Sequence, residues 1–140
     1  MSTIQEIWHP PHSSSAMLLH AAAHVCEFSD NQAGRAIERF LKSRDIKVHH
    51  RPVTVLGKNV MYCIYHLGGE YAIYAMGDPE HILQASLLSE NDREKSLLEA
   101  RRLGKNETIV LGIAKGTLST LPQSTRAITG LQFCGHISVI

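Results

Sequence analysis

Leu18, Ala22 and Val25 recur at helical spacing behind Ser13, Ser14 and Ser15, whose hydroxyls suit free backbone amides at a helix start. The pattern predicts a helix over Ala16–Glu27. A polar break, Ser29-Asp30-Asn31-Gln32, introduces a second helix running to about Ser43. There Ile37, Phe40 and Leu41 make an apolar stripe, while Arg35, Glu38, Arg39 and Lys42 face water. Ahead of both, Ile4–Trp8 reads as a short strand stopped by Pro10 and Pro11.

The periodicity then changes. Val48–Leu56, Val60–His66 and Tyr71–Ala75 are rich in β-branched and aromatic residues, separated by Gly57-Lys58-Asn59 and by Leu67-Gly68-Gly69-Glu70. Paired glycines supply the positive φ of a tight hairpin, so these segments predict an antiparallel meander. Asp78-Pro79-Glu80 is a helix start, with Asp78 as cap and Pro79 at the first helical position. Glu90–Leu103 is a charged amphipathic helix ending near Gly104, and Thr108–Ala114 and Leu131–Ile140 are two further strands. Segregated helices and hairpins predict an α+β fold: an antiparallel sheet of about six strands flanked by helices as a sandwich. Residues 1–140 are expected to form one domain, with no repeat or linker dividing them. The last strand lacks a closing polar tail, as expected of a domain excised from a larger chain.

Composition narrows the function classes. A chain of 140 residues hides roughly two-thirds of its unfolded surface. The net charge of +1 and the absence of any basic run longer than Arg101-Arg102 speak against nucleic acid as a partner. Cys26, Cys63 and Cys134 are odd in number and form no CxxC pair, which favours a reducing compartment over a disulfide framework. The longest apolar stretch, Ala16–Cys26, is interrupted by His20 and His24 and is too short to cross a bilayer. His20 and His24 share a helical face, but no third or fourth ligand stands at a recognisable spacing. They read as structural histidines, with a metal-sensing domain as a remoter alternative.

Three ordered segments carry a resemblance. Ala21–Ile37, with its alanine-rich helix, polar break and Gly34-Arg35-Ala36-Ile37, resembles the first helices of the nucleotide-binding domain of P-type cation-transporting ATPases. Gly68–Leu83 is similar to that family's G-x-x-Y-x-x-x-K-G-A-P-E-x-I-L pattern. Ile109–Ala114 and Gly130–Ile137 resemble its closing strands. The resemblance implies an N-domain, a cytoplasmic part of an integral membrane pump. Such a domain positions ATP so that an aspartate elsewhere in the pump is phosphorylated. It implies as partners ATP and the phosphorylation and actuator domains, with Mg²⁺ held mainly by the phosphorylation domain, and an isolated domain that is monomeric and not catalytic by itself.

Carried onto this sequence, the resemblance assigns nucleotide contact to Glu27, Asp30 and Asn31 at the helix break. It adds Gly57, Lys58 and Gly77 on the facing hairpins. Four have a plainer role open to them: Asp30 or Asn31 as a helix cap, Lys58 as a solvated turn residue, Gly77 as part of a helix start. The family's lysine position holds Met76, a frequent stacking phenylalanine is replaced by Val53, and the arginine that precedes the family's V-L-A-V-A segment appears as Ile109. Those replacements imply millimolar or weaker ATP affinity, each comparable contact being worth on the order of 1–3 kcal/mol. They leave a second reading open: a degenerate N-domain-like fold serving as a regulatory or interaction module.

Overall fold

Side-chain oxygens start each of the four α-helices among the described residues. Ser14 Oγ accepts from the Met17 amide at 3.1 Å, Asn31 Oδ1 from Gly34 at 2.7 Å, Asp78 Oδ2 from His81 at 3.3 Å and Ser89 Oγ from Asp92 at 3.1 Å. Each satisfies an amide that the helix leaves without an internal partner. The computed structural model describes residues 2–140. In chain order the elements are β1 (Ile4–Trp8), α1 (Ser15–Ala23), α2 (Gln32–Ser43), β2 (Thr54–Leu56), β3 (Val60–Leu67) and β4 (Glu70–Gly77). They continue with α3 (Pro79–Ala85), α4 (Glu90–Leu103), β5 (Ile109–Leu118) and β6 (Gln132–Val139). Two 3₁₀ turns, Cys26–Phe28 and Thr125–Ala127, complete the set.

The strands form one sheet in the order β1-β6-β5-β4-β3-β2, every neighbouring pair antiparallel. The meander is as expected: β3 and β4 pair down to Leu67 and Glu70, and Gly68 turns the corner at φ 59°. Strand pleating sends alternate residues to opposite faces, and each face carries two helices. On one, Leu18, Ala22, Ile37 and Leu41 of α1 and α2 pack with Cys63, Met76, Ile113 and Ile137. On the other, Ile82 and Leu83 of α3 and Leu97 of α4 pack with Tyr62, Ile73 and Phe133. The result is an antiparallel α+β sandwich with helices flanking the sheet.

Three boundaries differ from the sequence pattern. The helix expected over Ala16–Glu27 stops at Ala23. Tyr65 on β3 donates its hydroxyl to the His24 carbonyl at 2.6 Å, the acceptor the next helical turn would use. The chain tightens instead into the 3₁₀ turn, where the Phe28 amide donates to Val25 O. The strand expected over Val48–Leu56 shrinks to Thr54–Leu56: Pro52 has no N–H to donate, and Ile46 and Val48 pack on the α1–α2 cluster. The strand expected over Thr108–Ala114 runs on to Leu118, because β4 supplies partners as far as Tyr71.

Candidate functional site

The loop before α2, the β2–β3 turn and the end of β4 meet at one corner of the sheet. Glycines let them approach. A Cβ on Gly34 would overlap the Ser29 hydroxyl, so its absence allows Ser29 to fold back over the first turn of α2. Gly57 turns the β2–β3 corner at φ 95°, where a Cβ would overlap the Val60 carbonyl. Gly77 is needed for contact rather than for φ: a Cβ there would overlap Asn59 O and lie 2.6 Å from Val60 Cα. The turn therefore rests directly on the β4 backbone, and the Asp78 amide donates to Asn59 O at 3.4 Å.

These elements enclose a cleft of about 510 Å³. Ser29, Asp30 and Asn31 form one wall, Gly57, Lys58, Asn59 and Gly77 the other, and Met61, Met76 and Leu111 the floor. Five of the six residues singled out from the sequence thus lie together: Asp30, Asn31, Gly57, Lys58 and Gly77. Glu27 does not join them. It lines a neighbouring cavity of about 230 Å³ between α1 and α2, with its carboxylate 3.8 Å from exposed Arg51. Asn31 fills the capping role, which occupies its Oδ1 and leaves its amide hydrogens for another acceptor. Ser29, Asn59, Met61 and Leu111 were not singled out from sequence. The polar break and the turn were the available signals for the first two, while Met61 and Leu111 read only as strand core.

Among the described residues neither Lys58 nor Asp30 has an ion-pair partner. The 12-residue α2 points its N-terminus into this corner and contributes roughly half a positive charge there. The cleft thus offers an apolar floor with a cation and a helix N-terminus on opposite walls, suited to a ligand that is flat and apolar at one end and anionic at the other. No aromatic side chain among the described residues lines it. Met76, at 3% exposure, puts a thioether in the floor. Val53 and Ile109 stand outside the cleft: Val53 on the sheet edge, where its amide donates to Ile64 O at 2.7 Å, and Ile109 at the start of β5 opposite Val139.

Other chemistry-bearing groups are taken up in packing. His24 stacks on Tyr74 with ring centroids 4.0 Å apart and meets Tyr65 edge-on at 5.1 Å. Its Nδ1 lies 2.8 Å from His20 O, and burial lowers its pKa. Among the described residues no three His, Cys, Asp or Glu side chains converge as a metal site. The three cysteines are buried and free, and burial pushes the Cys26 and Cys63 thiols up to about 12 and the Cys134 thiol to about 11. Such thiols are neutral near pH 7 and poor nucleophiles.

Gly77→Ala tests the geometry. The new methyl must push the Asn59–Val60 backbone off β4, so stability should fall by about 1–3 kcal/mol in urea unfolding. The amide resonances of Lys58 and Asn59 should move more than those of the Gly68–Gly69 hairpin. An alanine variant of unchanged stability and spectrum would mean that the turn does not rest on Gly77.

No family model matches the sequence, and no curated protein matches it. Solved structures do. The N-domain of HMA8, a copper-transporting P-type ATPase, superposes with a TM-score of 0.64 over 96% of this chain and 97% of that one, at 15% identity. A zinc-transporting PIB-type ATPase matches with a TM-score of 0.58 over 99% of this chain, at 13% identity. This chain spans 18% of the length of that pump. The fold is therefore that of a P-type ATPase N-domain. No helix among the described residues is long and apolar enough to cross a membrane.

Proposed function

We propose that this chain is the ATP-binding N-domain of a P-type cation-transporting ATPase, a cytoplasmic part of the parent pump that holds ATP for transfer of its γ-phosphate to an aspartate in a separate phosphorylation domain. One observation supports this reading above the others: on an N-domain fold, Asp30, Asn31, Gly57, Lys58 and Gly77 come from separate stretches of sequence to one cleft. In this assignment the adenine lies on Met61, Met76 and Leu111, and the carboxylate of Asp30 is available to its exocyclic amine. The phosphates run toward Lys58 on the other wall. The domain's contribution to catalysis is alignment, which matters because phosphoryl transfer depends on positioning and charge neutralisation. Mg²⁺ and the nucleophilic aspartate belong to the phosphorylation domain, and the actuator domain completes the pump's cycle.

The same lining predicts weak binding. With a single cation and methionines in place of a stacking aromatic, the isolated domain should bind ATP in the millimolar range, about −4 kcal/mol. In amide shift mapping, ATP should move residues 29–31, 57–59 and 76–77. Lys58→Gln should weaken ATP about tenfold, the loss of one charge-assisted contact, and leave adenosine unaffected. Low-micromolar affinity, or shifts centred away from the cleft, would overturn this assignment. Met76 favours a second reading, since it places an apolar group where the resembling family carries a lysine. In that reading the fold serves as a regulatory or interaction module, and millimolar ATP leaves the spectrum unmoved.

A further inference from the structure

The Gly57–Asn59 turn has a second side. On the opposite face of the sheet from the cleft, the same three residues wall a separate cavity of about 480 Å³, closed by α3 and by the long β5–β6 connection. Its floor is apolar: Val60, Tyr62 and Ile128. Its rim carries Lys58, Arg126 and His81, with the hydroxyls of Thr125 and Thr129, and no carboxylate among the described residues lines it. Among the described residues Arg126 and Lys58 have no ion-pair partner. The His81 ring is steered by Asp78, whose Oδ2 lies 2.8 Å from Nδ1, so that the other ring nitrogen remains free to meet a ligand.

The two cavities differ in charge. The cleft sets one ammonium, Lys58, against one carboxylate, Asp30. The second cavity sets an ammonium and a guanidinium against no carboxylate. The guanidinium's planar fork of donors matches phosphate oxygens. Its volume lies in the range of small-molecule sites, and the buried Tyr62 ring offers an apolar wall beside the cationic rim. We infer that this cavity, framed by the β2–β3 turn, α3 and the Thr125–Thr129 segment, is a second ligand site, one that takes a small phosphate-bearing molecule with an apolar or aromatic body. It shares the Gly57–Asn59 turn, and with it the Lys58 ammonium, with the cleft, while Arg126, His81, Thr125 and Thr129 line this cavity and not the cleft.

The test is amide shift mapping of the domain with AMP as probe and inorganic phosphate as the comparison arm. AMP should move Thr125, Arg126, Thr129, His81 and Gln84, and should bind more tightly than inorganic phosphate, since only AMP has a body to lay on the floor. Arg126→Ala should weaken AMP at these residues about tenfold while leaving shifts at residues 29–31 and 76–77 as they were. Arg126 is exposed on a 3₁₀ turn, so its removal should not alter the unfolding midpoint. AMP shifts confined to the cleft, no shifts with either probe, or unchanged affinity in Arg126→Ala would each overturn the site. Loss of ATP shifts in the cleft alone would instead count against the N-domain assignment and leave this site standing.

Discussion

Gly135→Ala should destabilise the protein by roughly 3–5 kcal/mol, the sum of backbone strain and overpacking. Gly135 adopts φ 145°, a conformation close to glycine-only, and a Cβ there would overlap the Trp8 carbonyl and the Leu18 side chain and approach His9 Cα at 3.1 Å. The residue sits at a bulge in β6, where Ile113 pairs with Gly135 but Ala114 pairs with Phe133. Cys134 is the extra residue, and the bulge reverses which face each later side chain meets. Strict alternation would put Phe133 and Ile137 on one face and Cys134 and His136 on the other. The bulge instead gives Cys134, Ile137 and Val139 to α1 and α2, and Phe133 to the opposite cluster, where His136 meets its ring. The reference is Gly130→Ala: φ is 70° there but nothing lies within 4 Å of the added methyl, so the cost should be about 1–2 kcal/mol of left-handed strain alone. Urea unfolding of both variants decides. Equal losses would mean that the Trp8 carbonyl and the Leu18 side chain move aside freely and do not hold the bulge.

Acid should weaken the fold through the side chain that the bulge places, His136. Its ring is fully buried, stacked on Trp8 at 5.5 Å and beside Phe133 at 4.9 Å. Nε2 lies 2.8 Å from Ser96 O on α4 and donates to it, while Nδ1 has no partner among the described residues. The neutral ring satisfies this arrangement; a second proton would leave a buried charge with an unpaired N–H. Burial accordingly lowers the pKa from 6.5 to about 4, outweighing the opposing effects of the Ser96 carbonyl and of Glu99. In the unfolded chain the ring takes up its proton below about pH 6.5, and in the folded chain only near pH 4. Stability is therefore complete above pH 6.5, falls as pH drops through that window, and levels off below it, a loss of about 3 kcal/mol from this residue. His24, whose pKa is also lowered by burial, acts in the same direction. An NMR titration should find the His136 ring neutral at pH 5. A measured pKa above 6 would remove His136 as the source of acid lability.

The two residues show where sequence reasoning reaches and where it stops. Local chemistry was legible. Ser14, Asn31 and Asp78 cap helices as their residue types suggest, the Gly68–Gly69 turn joins β3 to β4, and the antiparallel α+β sheet follows from counting segments. Five of the residues that line the cleft, Asp30, Asn31, Gly57, Lys58 and Gly77, had been named from the sequence through the family resemblance. What could not be read depends on groups distant in sequence. The end of α1 is decided by a tyrosine on β3. The faces of β6 are decided by a bulge whose only signal is a glycine inside an apolar strand. Glu27 leaves the cleft because the tightened 3₁₀ turn redirects it toward Arg51. The charge contrast between the two cavities joins residues from β3, α3 and the β5–β6 connection, and no single stretch of sequence carries it.

The strand order has a kinetic consequence. β2 through β5 can zip as successive neighbours, and the Leu67–Glu70 pair closes across two residues. Among the described residues β1 instead pairs with β6 alone, setting Ile4 against Val139 across most of the sequence. Closing so long a loop carries the largest entropy cost in the molecule and belongs late in folding. Until β1 arrives, Phe133 and His136 lack the cover of Trp8, and β6 presents an open, strongly apolar edge. Intermediates of this fold are therefore most exposed to pairing between chains along β6, and the short strand β1 acts as the molecule's own guard against it.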